Sequence, residues 1–94
     1  MAKIEQLHKR LAKKFKVMGH PLRIKLLEDL MKKECCVGDL QKCISVSQPS
    51  TSQHLKILKE AGIIESRREK NKICYRIADE SVVKTLKYFI QREV

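Results

Sequence analysis

A mainly α-helical single domain with one small β-hairpin is what this sequence predicts. Three observations predict it. Apolar residues recur at spacings of three and four in five stretches. Two short apolar segments flank the basic turn Lys70-Asn71-Lys72, and the chain has only 94 residues. A chain that short fills one core and leaves nothing for a second, so residues 1–94 read as a single domain.

Residues 2–18 place Ile4, Leu7, Leu11, Phe15 and Met18 on one helical face. Lys9, Arg10, Lys13, Lys14 and Lys16 cover most of the rest. Gly19 ends this helix, and Pro21 suits the first turn of a second one reaching about residue 33. Its inward residues are Ile24, Leu27, Leu30 and Met31. A third, short helix is expected over 37–44, with Val37, Leu40 and Ile44 on one face, followed by a polar turn at 45–47. Ser47 is a good N-cap for a fourth helix, with Pro49 in its first turn. Leu55, Leu58 and Ala61 form its buried stripe, and Gly62 its left-handed C-cap. Segments 63–69 and 73–77 read as strands. Asp79 N-caps the last helix, whose apolar face is Val82, Val83, Leu86, Phe89 and Ile90.

The 21 Lys and Arg residues against 11 Asp and Glu give a formal net charge of +10. Such an excess on a small body draws polyanions. Nucleic acid is the first partner class to consider and an anionic membrane surface the second. No apolar run approaches the roughly 18 residues of a membrane span. The opening MAKIEQLHKRLAKKFK lacks the apolar stretch of a secretory signal, so a cytoplasmic protein is expected. A Gly-rich phosphate loop, a His-Glu metal-hydrolase helix and a nucleophile triad are missing from the sequence. Neither enzymatic activity nor a resident cofactor is expected.

Two helices joined by a tight turn, the second polar on its outer side, are what a helix-turn-helix needs. The second helix of such a pair enters the major groove and meets base edges near its N-terminus. Gln48, Ser50, Thr51, Gln53 and His54 are the candidates for base edges, and Ser52 and Lys56 for phosphates. The hairpin then gathers Arg67, Arg68, Lys70, Lys72 and Arg76, as a phosphate- or minor-groove-contacting wing would. Arg23 suits either a phosphate or an internal partner. The ordinary reading of each charge run is a solvated face, and the basic first helix admits a membrane-surface reading too. Only DNA accounts for the turn, the polar helix and the wing together.

Gly19-His20-Pro21-Leu22-Arg23-Ile24, then Glu34-Cys35-Cys36-Val37-Gly38-Asp39-Leu40, then the stretch 47–62 (SQPSTSQHLKILKEAG), then Arg67-Arg68-Glu69 and Tyr75-Arg76 resemble the ArsR/SmtB family of winged helix-turn-helix repressors. The resemblance covers roughly residues 10–90. It implies five helices with a two-stranded wing, and a homodimer formed through the first and last helices. It also implies double-stranded operator DNA with an inverted repeat, and release of that DNA by an inducer.

The cysteines bear on the inducer. The family's arsenic and cadmium sensors carry a motif of the form Glu-Leu-Cys-Val-Cys-Asp-Leu. Here only Cys36 falls on a ligand position, Gly38 takes the other, and Cys35 replaces an apolar residue. A vicinal Cys35–Cys36 pair still offers thiolates to a soft metal or metalloid such as As(III) or Cd(II). Cys74 or Cys43 would supply a third ligand. Cys43 lies roughly 10 Å from Cys36 if one helix spans both. The family's second metal site uses Asp and His on the last helix, and residues 79–94 contain no His, so a zinc or nickel site of that type is not expected. Cys35 and Cys36, placed near the start of the third helix, would also have lowered thiol pKa values and suit a redox or sulfur signal. The remaining reading is that the cysteines are inert small hydrophobes. Outside this class stands a sequence-indifferent DNA-coating protein.

Overall fold

The computed structural model describes residues 3–33, 35–36 and 48–93, and at 35, 36, 48 and 49 the backbone alone. The elements are α1 (Gln6–Met18), α2 (Pro21–Lys32), β1 (Cys35–Cys36), α3 (Gln48–Glu60), β2 (Ile64–Glu69), β3 (Lys72–Ile77) and α4 (Glu80–Glu93). The helix expected over 37–44, the turn at 45–47 and Cys43 lie outside the described residues. Among the described residues there are four helices, and α3 is followed directly by the β2–β3 hairpin as in a winged helix.

Local chemistry sets the helix ends. Glu5 is extended and its backbone N–H donates to His8 Nδ1 at 3.0 Å, so α1 begins at Gln6 rather than at residue 2. His20 caps α2, its Nδ1 accepting from the Leu22 N–H at 3.1 Å, with Pro21 next in the first turn. α3 ends in a Schellman motif. The Ile63 N–H reaches the Leu58 carbonyl at 3.1 Å and the Gly62 N–H the Lys59 carbonyl at 3.0 Å. Gly62 makes that possible at φ 78°. Asp79 caps α4, its Oδ1 accepting from the Ser81 N–H at 3.0 Å. Lys14 Nζ lies 2.7 Å from Asp79 Oδ2, tying α1 to this cap. The Lys14 ammonium, followed by the Ser81 hydroxyl, holds the Asp79 carboxyl down at about 2.

The hairpin pairs Ile64 with Ile77 at its base and Glu69 with Lys72 at its tip. Lys70 turns the chain at φ 56°. The wing is the two-stranded hairpin that was expected, and a short third strand joins its sheet. β1 pairs antiparallel with the free edge of β3, in the order β1-β3-β2. Cys35 and Cys36 are therefore strand residues, and the helix expected to follow them lies outside the described residues. The physical reason for the strand is that β3 presents unpaired N–H and C=O groups on that edge, which a short extended segment satisfies.

Leu26, Leu27 and Leu30 of α2 meet Leu55 and Leu58 of α3, Ile63 and Ile64, and Val82 and Leu86 of α4, with Val17 and Met18 from the end of α1. Six of the expected inward residues stay largely outside this core. Ile4 ahead of α1, Leu7, Leu11 and Phe15 on α1, Ile24 on α2 and Phe89 on α4 are all exposed. Most of the apolar face of α1, and the Phe89 end of that of α4, are thus exposed in the single chain.

Candidate nucleic-acid interface

α3 carries its apolar stripe inward and its polar residues outward. The stripe starts one turn earlier than expected. Thr51 sits four residues before Leu55 and is 0% exposed, as are Leu55 and Leu58. This is a correction, since a side chain facing the core has no access to a base edge. The spacing back from Leu55 was the available signal for it. Gln53 and Lys56 are exposed, and Ser50 and Ser52 half-buried. Of Gln48 only the backbone is described, at the first position of the helix.

His54 takes part in an internal contact. It is half-buried, and Arg23 Nε donates to its Nδ1 at 3.1 Å. Its ring lies 4.5 Å from that of His20, centroid to centroid. Arg23 Nη1 also donates to the Val17 carbonyl at 3.1 Å. These bonds answer the question about Arg23, which serves as an internal tie joining the end of α1, the start of α2 and the middle of α3. Burial first, then the charges of His20 and Arg23, push the His54 pKa below its ordinary 6.5. A neutral ring is the form that accepts at Nδ1.

The wing divides its cations between two faces. Register places Arg67 opposite Cys74 and Arg68 opposite Ile73. Successive strand positions alternate, so Arg67 and Lys72 share one face with Arg76, while Arg68 stands on the other. Lys70 is at the tip. Arg67 lies 3.3 Å from Glu69, and Arg76 pairs with Glu65. Arg68, Lys70 and Lys72 are exposed. The expected cluster is real in sequence and split in space, with part of its charge offset by glutamates.

Of the cysteines, the backbone register sets Cys36 opposite Cys74 and Cys35 opposite Tyr75. As neighbours along one strand, Cys35 and Cys36 belong to opposite faces of the sheet. Cys74 is buried at 7% exposure. Among the described residues, no helix is long and apolar enough to cross a membrane.

An outward-polar helix held by a glycine cap, followed at once by a basic hairpin, defines the winged-helix class of regulators. The comparisons agree. Residues 20–66 match the bacterial regulatory proteins of the arsR family. The chain is 38% identical over 71 residues to the biofilm growth-associated repressor of Agrobacterium fabrum, covering 76% of this chain and 61% of that protein. It thus spans less than two-thirds of that relative. The crystal structure of the transcriptional repressor BigR from Xylella fastidiosa superposes with a TM-score of 0.83 at 32% identity, covering 96% of this chain and 95% of that one. A winged helix-turn-helix DNA-binding domain from Mycobacterium bovis, described as homodimeric, gives a TM-score of 0.85 at 26% identity and covers 99% and 90%. This chain belongs to the arsR family.

Proposed function

We propose that this chain is the subunit of a cytoplasmic, homodimeric transcriptional repressor that binds an inverted-repeat operator in double-stranded DNA. The observation that carries it is α3, fully buried at Thr51, Leu55 and Leu58 and polar at Ser50, Ser52, Gln53 and Lys56. Such a helix is rigidly seated on its core side and free to read on the other. Gln53 reads a base, as an amide does with adenine. Lys56 and the exposed wing residues Arg68, Lys70 and Lys72 hold phosphates, with Arg67 beside them. No catalytic group and no resident cofactor enter this reading. The inducer is a thiol-reactive species, either a soft metal or metalloid such as As(III) or Cd(II) or an oxidant, acting through Cys36 with Cys74. It releases DNA by favouring a conformation with lower operator affinity.

Fluorescence anisotropy of the reduced protein on the DNA upstream of its own gene, against random duplex, tests this. Selective binding supports a repressor. Equal affinity for both duplexes would instead establish a sequence-indifferent coating protein. In the same assay Lys70→Ala is expected to weaken binding to every duplex and to lower the slope of log affinity against log salt by about 0.9. An unchanged slope would take Lys70 off the phosphates.

A further inference from the structure

We infer that Arg23 is a positioning residue for operator recognition, seating α3 through an unprotonated His54, so that acid removes the protein's choice of operator. This deepens the repressor reading and rests on it for the effect on DNA. His54 directly follows Gln53, the residue that reads a base in that reading. Arg23 comes from α2, and its Nε donates to His54 Nδ1 at 3.1 Å. The same guanidinium donates from Nη1 to the Val17 carbonyl at 3.1 Å. Three elements, α1, α2 and α3, thus meet at one planar group. A guanidinium holds its donors in a fixed fork, so each bond sets the direction of the other. The buried Leu55 and Leu58 hold α3 to the core, but apolar burial is non-directional. The Arg23 bond is what fixes how the helix is turned about its own axis.

That bond exists in one protonation state only. Arg23 offers donors alone, and an imidazole accepts at Nδ1 only while that nitrogen bears no proton. His54 in this contact therefore carries its proton on Nε2. His20 is set the same way, since its Nδ1 accepts the Leu22 N–H at 3.1 Å. The two rings lie 4.5 Å apart, centroid to centroid. α1, α2 and β2 pack against α3. His20 faces His54 from the junction of α1 and α2, and Arg23 faces it from α2. α1 contributes the Val17 carbonyl, on the far side of the guanidinium. Among the described residues, no carboxylate and no charged group of β2 acts on the ring. A second proton on His54 thus meets an N–H donor and two basic groups, with no anion to balance it. Burial first, then those two groups, hold the ring below its ordinary 6.5. The bond is complete above about pH 6.5 and is lost as pH falls through the lower folded value.

Protonation pushes the guanidinium off the ring and leaves α3 held by apolar contact alone. Reading a base edge needs the helix within about 0.5 Å of its place. Phosphate contacts set orientation and carry no sequence information, and most of them come from the wing, which this bond does not touch. Acid therefore erases discrimination rather than binding. The added charge near the interface strengthens attraction to any duplex. The ratio of operator affinity to random-duplex affinity is then the quantity that isolates the seat of α3.

The test uses the full, reduced chain. Anisotropy is read on the DNA upstream of its own gene and on random duplex, from pH 7.5 to 5 at one salt concentration, with circular dichroism confirming the fold. The wild-type preference for the upstream DNA is expected to fall by about tenfold, the order of one lost base contact. Asparagine sets an oxygen near the place of Nδ1 and does not titrate, so His54→Asn should give a flat profile. Arg23→Gln should show a reduced preference already at pH 7.5 and no further fall. Nitrogen-15 ring spectra of the wild type should show His54 protonated at Nε2 alone at pH 7.5, with amide shifts along α3 following its titration. A flat wild-type profile, an equal fall in His54→Asn, a fall abolished by His20→Asn instead, or a ring protonated at Nδ1 at pH 7.5 would overturn the inference. The His54→Asn profile and the ring spectra decide this even if Arg23→Gln fails to fold. Wild type without preference at pH 7.5 would instead overturn the repressor reading, leaving the ring and amide titrations to judge the contact.

Discussion

Thr51 and Gln53 are two residues apart and lie on opposite sides of one helix. Thr51→Ala removes a fully buried side chain and should lower the unfolding free energy by about 1–2 kcal/mol in a urea titration. The surviving folded protein should keep its base preference. Gln53→Ala removes an exposed one and should leave the urea midpoint alone while relaxing preference at one base pair by about 1–3 kcal/mol. Exchange of these two phenotypes would mean that the helix is rotated on its core. His54 is the other residue with a measurable signature. Its folded pKa lies below the unfolded 6.5, so the unfolded chain takes up the proton first as pH falls. The contribution is whole above pH 6.5 and is lost progressively below it, through the lower folded value. Protonation also sets a ring N–H against the Arg23 Nε–H that it had accepted. Urea midpoints measured from pH 7.5 down to 5 should therefore fall more in the wild type than in His54→Asn. Parallel curves would show that the Arg23 contact carries no such linkage.

Gly62 shows how an element boundary is fixed. A Cβ at this position would meet nothing within 4 Å, so space is no obstacle to a larger residue. The cost of Gly62→Ala is purely the left-handed backbone at φ 78°, on the order of 1–2 kcal/mol. A thermal melt that moved by less than a degree would refute this account of the cap. Gly62, His20 with Pro21, and Asp79 were all readable as boundaries, because capping is local chemistry between residues a few positions apart. The hairpin was readable for the same reason. What escaped depends on partners distant in sequence. Nothing within reach of Cys35 says that it will pair with Tyr75, so β1 looked like the approach to a helix. The contact of His54 with Arg23 escaped too, because Arg23 lies 31 residues earlier. Thr51 is the exception. It was legible by spacing and was misread because a polar residue is taken to face water.

At the scale of the whole molecule, the chain is longer than a compact body of its size. Its radius of gyration is 14.3 Å and its extents are 52 × 31 × 21 Å, against about 12 Å for a typical 94-residue domain. The terminal helices leave Leu7 at 50%, Phe15 at 58% and Phe89 at 61% exposed. Large apolar groups left out in two helices mark an interface more than a core, and the proposed homodimer would cover them with the same surface of a second copy. Phe15→Asp should then give a folded monomer by analytical ultracentrifugation at concentrations where the wild type is a dimer. Its far-UV circular dichroism should match the wild type's, because Phe15 adds little to the chain's own core. On an operator with two half-sites its affinity should fall by about 100-fold or more, the loss expected when two linked contacts become one. On a single half-site the two proteins should bind alike. A variant that stays dimeric would place the interface elsewhere, and one that unfolds would show that α1 completes the core of its own chain.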